Sequence, residues 1–136
     1  MAGGNRWPLR GCTLSISTCE QRQLTSFCCV SIERDAHTAF IRIEGELDLS
    51  CEDGFRAEIA HITAWQPGTV VVDLCDLTFI DLHGLRVLLE LEAASRRNDF
   101  DLTLVHADRR VQTVMRITGL DLMLPLYDRF AYERRY

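Results

Sequence analysis

Hydrophobic positions are scattered without period up to about Thr25, in a stretch punctuated by Gly3, Gly4, Pro8 and Gly11, and this predicts a flexible tail over residues 1–25. From Phe27 onward the pattern sharpens. Residues 28–32 and 38–43 alternate or run apolar on either side of the polar bend Glu33-Arg34-Asp35-Ala36-His37, which predicts two strands joined by a hairpin. Ser50 reads as an N-cap with Asp53 three residues later, and Phe55, Ile59 and Ile62 give the helix that follows one apolar face. Pro67-Gly68 ends it. Thr69-Val70-Val71-Val72-Asp73-Leu74 reads as a central strand buried on both faces. Asp81 then caps a helix with Leu85, Leu88 and Leu89 on one side and Arg86, Glu90, Arg96 and Arg97 on the other, closed at Asn98-Asp99. Leu102-Thr103-Leu104-Val105 is the next strand. Asp108 caps a last helix carrying Val111, Val114 and Met115, Thr118-Gly119 stops it, and a short strand is expected within residues 124–127.

An opening hairpin followed by alternating helices and strands describes an α/β fold: one domain built on a mixed four- to five-stranded sheet covered by helices. Leu74, Leu77, Phe79, Leu85, Leu88, Leu89, Val111, Val114, Met115 and Leu120 are the expected core. In such sheets functional groups gather where strands end and helices begin. That directs attention to Asp48 and to the turn Asp81-Leu82-His83-Gly84.

Composition narrows the classes of function. A hydrophobic share of 47% and a charged share of 26% over 136 residues are ordinary for a globular domain. The net charge of -5 leaves no surplus of positive charge to neutralise phosphates, which argues against direct nucleic-acid binding. The N-terminal stretch lacks the apolar core of a signal peptide and no run of about eighteen apolar residues occurs, so the expected setting is cytoplasmic with no membrane partner.

Six cysteines, Cys12, Cys19, Cys28, Cys29, Cys51 and Cys75, contain no CxxC pair, so neither a disulfide scaffold nor a structural zinc site is expected. Cys51, in the first turn after Asp48, and Cys75, after the central strand, are the candidate redox pair, with buried inert thiols as the plainer reading. Asp48, Asp81 and His83 contain ionisable groups, but no nucleophile is spaced to complete a triad, and no catalytic residue, metal or cofactor is expected. Glu44, Glu46, Asp48, Glu52 and Asp53 read as a solvated acidic face able to attract an Arg-rich surface. Tyr127, Phe130, Tyr132 and Tyr136 are expected to pack back on the sheet, with a homodimer contact as the alternative.

Three segments in order resemble the STAS-domain family of anti-sigma factor antagonists: Gly45-Glu46-Leu47-Asp48, the strand-to-helix stretch running from Val70-Val71-Val72-Asp73 to Asp81-Leu82-His83-Gly84-Leu85, and Ile117-Thr118-Gly119-Leu120. The resemblance covers about Phe27 to Asp128 and implies a STAS domain over residues 26–130 with an extension over 131–136. It also implies a partner, a GHKL-type, kinase-like anti-sigma factor whose capture frees a sigma factor. In phosphorylation-controlled members the residue after the turn's Asp is a phosphorylated Ser. Here that position is Leu82, and His83 stands where a second hydroxyl is usual, so a phosphoserine switch cannot operate there. What the resemblance carries over is a partner-binding surface of Asp48, Asp81, Leu82, His83 and Gly84. Bulky Leu82 and His83 could instead clash with a partner shaped for small residues. The alternative function is a signalling or scaffold module of the same family that binds a small ligand or another protein.

Overall fold

Residues 18–106, 108–124 and 126–128 are described in a computed structural model of the chain. Along them run β1 (Thr18–Thr25), β2 (Cys28–Asp35), β3 (Thr38–Leu47), a 3-10 turn (Leu49–Cys51), α1 (Glu52–Ala64), β4 (Thr69–Asp73), β5 (Leu77–Ile80), α2 (Leu82–Asn98), β6 (Asp101–His106), α3 (Arg109–Ile117), a second 3-10 turn (Leu120–Leu122) and β7 (Leu126–Asp128). One mixed sheet contains all the strands, in the order β1-β2-β3-β4-β6-β7, with β5 added to the far end of β3. β1, β2 and β3 are antiparallel, whereas β4, β5, β6 and β7 run parallel to their neighbours through helical crossovers.

Strand periodicity divides the sheet's two faces. Ala39, Ile41 and Ile43 of β3, Val70 and Val72 of β4 and Leu104 of β6 share one core with Phe55, Ile59 and Ile62 of α1, Leu85, Leu88 and Leu91 of α2, and Val111 and Met115 of α3. All three helices therefore pack on one face. The alternate positions Phe40, Val71 and Val105 form a separate buried cluster with Cys75 and Tyr127 on the other. The apolar run Val70-Val71-Val72 of β4 follows from its position between β3 and β6, with both faces covered.

The α/β class and the helix positions agree with the sequence reading, but among the described residues the sheet has seven strands, more than the four or five expected. Residues 18–25, expected to be tail, form β1 on the antiparallel edge. Polar Glu20-Gln21-Arg22-Gln23 hides a strand at an edge, because alternation with burial is enforced only where neighbours cover both sides. The rest of the tail, residues 1–17, Phe130, and the C-terminal extension over 131–136 with Tyr132 and Tyr136 lie outside the described residues.

β5 was hidden by its shortness. It exists because β3 outlasts β4: residues 38–42 of β3 pair with β4, and beyond Gly45 the same edge pairs with β5. Gly45 makes the handover at φ 98, with its N–H donated to the Asp76 carbonyl at 3.1 Å; a Cβ there would lie 1.9 Å from the Phe27 carbonyl oxygen. Only glycine fits such a conformation and approach.

Candidate functional site

Leu47 of β3 and Ile80 of β5 are register partners, so the residues that follow them, Asp48 and Asp81, emerge side by side at one edge of the sheet. Each opens a helical turn. Ser50 does not cap α1, whose first turn follows Cys51 with no side-chain cap; Asp48 caps the 3-10 turn before it, its Oδ1 accepting the Ser50 N–H at 3.0 Å and also the Ser50 hydroxyl. The 3-10 turn inserted before α1 moves the cap two residues upstream. The Ser50 hydroxyl holds the Asp48 carboxyl below the ordinary aspartate range. Asp81 is the expected cap of α2, its Oδ1 accepting the N–H groups of His83 at 2.9 Å and Gly84 at 3.0 Å.

The two turns are locked together through one carbonyl. Leu47 O accepts the Asp81 N–H at 3.3 Å, and Gly84 packs against it so closely that an added Cβ would sit 2.4 Å away. Three large apolar side chains flank this edge in the open: Leu49 at 59%, Leu82 at 72% and Phe79 at 47% exposure. Phe79 was expected in the core. A bulge overturns that: Leu77 pairs with Gly45 and Phe79 with Glu46, leaving Thr78 as an extra residue whose hydroxyl donates to the Gly45 carbonyl at 3.1 Å. The inserted residue turns both Thr78 and Phe79 outward while Leu77 and Ile80 stay buried.

Beside the caps lies a cluster the sequence did not mark. Glu52, at 8% exposure, is buried and not part of a solvated acidic face. Its Oε2 accepts from Arg56 at 3.1 Å and Arg86 at 3.3 Å, and its Oε1 is 3.8 Å from Nδ1 of His83. Arg56 also grips Glu90 of α2 through two bonds, at 2.7 and 2.8 Å, and this guanidinium holds the Glu90 carboxyl below its usual range. His83 is thus half-buried against α1. An i, i+4 ion pair, Glu52 and Arg56, was the readable signal; its extension to Arg86 and Glu90 of α2 depends on how the helices pack.

The structure separates the two candidate redox cysteines. Cys51 is buried in the helix-side core, its thiol 3.3 Å from the Glu46 carbonyl, whereas Cys75 packs with Phe40 and Val71 across the sheet. The thiol next to Cys51 belongs to Cys28, whose pKa burial pushes far up, with the Cys51 thiol adding to the effect. Adjacent Cys28 and Cys29 point to opposite faces, since strand side chains alternate.

Among the described residues, no helix is long and apolar enough to cross a membrane and no group of three or more His, Cys, Asp or Glu side chains is placed to hold a metal.

The model of the STAS domain family matches residues 30–132. Among solved structures, the chain is similar to an anti-sigma factor antagonist from Mycobacterium paratuberculosis, with 23% identity, 72% of this chain and 83% of that one covered, and a TM-score of 0.63. It is similar also to the anti-sigma factor antagonist SpoIIAA in its unphosphorylated form, at 20% identity, 82% and 87% coverage and a TM-score of 0.60, and to the Bacillus cell fate determinant SpoIIAA in the phosphorylated form, at 20% identity, 88% and 100% coverage and 0.56. No curated protein matches the chain in sequence.

Proposed function

Because the chain belongs to the STAS-domain family, we propose that it is an anti-sigma factor antagonist: a cytoplasmic binding protein, with no reaction of its own, that docks on a kinase-like anti-sigma factor and so frees a sigma factor. The observation that carries this reading is the edge where β3 and β5 end together. Two carboxylates, Asp48 and Asp81, stand beside the exposed apolar side chains of Leu49, Phe79 and Leu82. Apolar anchors next to fixed charge are the composition of a protein-docking surface, in which burial supplies affinity and charge supplies steering and register.

The solved structures that resemble this fold include anti-sigma factor antagonists, which supports the same reading. Leu82 gives it a particular form. The turn offers no hydroxyl at the position after Asp81, so docking proceeds without a phosphoserine off-switch. The test is capture from the native cytosol on immobilised wild-type chain, in parallel with Asp48→Arg and Asp81→Arg. The expected result is an anti-sigma factor retained by the wild type and lost from both variants. Equal retention by all three moves the interface elsewhere, and capture of a partner of another kind overturns the reading.

A further inference from the structure

We propose that His83 is a phosphoryl-acceptor site, with Glu52 as its positioning residue, so that the docking edge has a histidine-based charge switch where a serine-based one is missing. The inference deepens the docking reading and rests on it for its regulatory meaning and its phosphoryl donor, while the accepting groups are this chain's own. His83 is the second residue of α2, one position beyond the outward-facing Leu82. Its two ring nitrogens stand in different surroundings. Nδ1 is buried, has no hydrogen-bond partner, and faces Glu52 Oε1 at 3.8 Å, while the side chain as a whole is 36% exposed.

A carboxylate facing one ring nitrogen decides the tautomer. A proton on Nδ1 is attracted to Glu52, whereas a lone pair there would be repelled, so neutral His83 carries its proton on Nδ1 and its lone pair on Nε2. Glu52 is itself fixed, since its other oxygen is held by Arg56 at 3.1 Å and Arg86 at 3.3 Å and only a tenth of its side chain meets solvent. A buried carboxylate behind an imidazole whose far nitrogen is open is the arrangement that orients a nucleophilic histidine. The same two arginines, 40% and 58% exposed, have donors to spare for a phosphoryl group placed beside them.

The step balances without a base. The Nε2 lone pair attacks the terminal phosphorus of a nucleoside triphosphate held by a kinase-like partner, the N–P bond forms, and the bridging P–O bond breaks with its electron pair leaving on the nucleoside diphosphate. Nδ1 keeps its proton throughout. The positive charge the ring acquires lies against Glu52, and the dianionic phosphoryl group stands next to Leu82 and Asp81 on the docking edge, where it adds like charge to Asp48 and Asp81.

The experiment uses phosphoramidate, a small-molecule phosphoryl donor that labels histidines, on the purified full chain. The site of label is read by peptide mass spectrometry at neutral pH and its linkage by loss in acid. His37 and His61, both exposed, serve as comparators within the same molecule. The expected result is an acid-labile phosphoryl group on His83, acquired about tenfold faster than on either comparator, and slowed about tenfold by Glu52→Gln with labelling of His37 and His61 unchanged. Labelling of His83 no faster than the comparators, or only an acid-stable ester on Ser50 or Thr78, overturns the proposal. A Glu52→Gln rate equal to wild type overturns the part given to Glu52; should that variant not fold, the comparison within the wild-type chain decides. No partner enters this assay, so its failure is separate from failure of the docking reading, which the capture experiment addresses.

Discussion

Gly84 of α2 rests directly on the carbonyl of Leu47 at the end of β3: an added Cβ would lie 2.4 Å from that oxygen and 2.7 Å from Cγ1 of Ile80. The first turn of α2 is thereby held against the edge from which Asp48 emerges. Alanine is favoured over glycine in a helix by about 1 kcal/mol, so propensity alone predicts a gain from Gly84→Ala. Contact with rigid backbone wins. Overpacking costs about 1–3 kcal/mol, and the variant is expected to unfold at lower urea concentration than wild type. A raised midpoint would show that the two elements are free to separate.

Asp81→Arg and Asp48→Arg test the docking edge. Losing a cap costs about 1 kcal/mol, and the exposed part of each substitution changes stability by about half a kcal/mol or less. Reversed charge beside Leu49, Phe79 and Leu82 should weaken partner binding well beyond that. The measurement is affinity for the captured anti-sigma factor by calorimetry, alongside urea midpoints. An affinity loss no larger than the stability loss would reduce both aspartates to caps.

Leu82→Ser restores a hydroxyl at the first position of α2. Because Leu82 is exposed, the change should be neutral to stability within about half a kcal/mol. Incubated with ATP and the kinase-like partner, this variant is expected to gain an acid-stable phosphate on the introduced hydroxyl, while the wild-type turn gains no acid-stable ester. Mass and peptide analysis after acid treatment reads the difference. An acid-stable ester elsewhere in the wild type, on Ser50 or Thr78, would show that a hydroxyl switch had moved and not vanished.

Asp73, at 5% exposure, gives a dependence on pH. Burial pushes its carboxyl above the ordinary aspartate range, even though its Oδ1 accepts the Cys75 N–H at 2.8 Å and Arg42 lies 4.0 Å away. The folded pKa is raised, so ionised Asp73 costs stability at neutral pH, and that cost disappears as pH falls through the raised value toward the unfolded one. Asp73→Asn keeps the acceptor for Cys75 and removes the charge. Its stability relative to wild type should therefore be more favourable at about pH 7 than at about pH 4. Urea midpoints at both values test this, and the opposite trend would mean that Arg42 outweighs burial.

Much of the molecule was legible before any coordinates. The caps Asp81 and Asp108, the stops at Asp99 and Gly119 and the apolar run at the centre of β4 each rest on local rules. Gly45-Glu46-Leu47-Asp48 and Asp81-Leu82-His83-Gly84 were readable as the edge to watch because strand ends and helix starts are local features too. What escaped were features set by neighbours. β1 is polar and gains its strand character only by pairing with β2, and β5 exists only because β3 runs beyond β4. Cys51 could not be matched with Cys28 from spacing, because it takes the sheet to show which thiols share a face.

The sequence by itself determined the α/β class, the order of the main elements and the absence of a hydroxyl after Asp81, since periodicity, capping and residue identity need nothing distant. Only the tertiary structure decided that Phe79 faces outward, that Asp48 caps a 3-10 turn where Ser50 was expected to cap α1, and that Glu52 is buried against His83. The physical reason is common to all three. A bulge, a 3-10 turn and a helix–helix ion cluster are each fixed by where a second element lies, and a one-residue shift in register or turn sends a side chain to the other face.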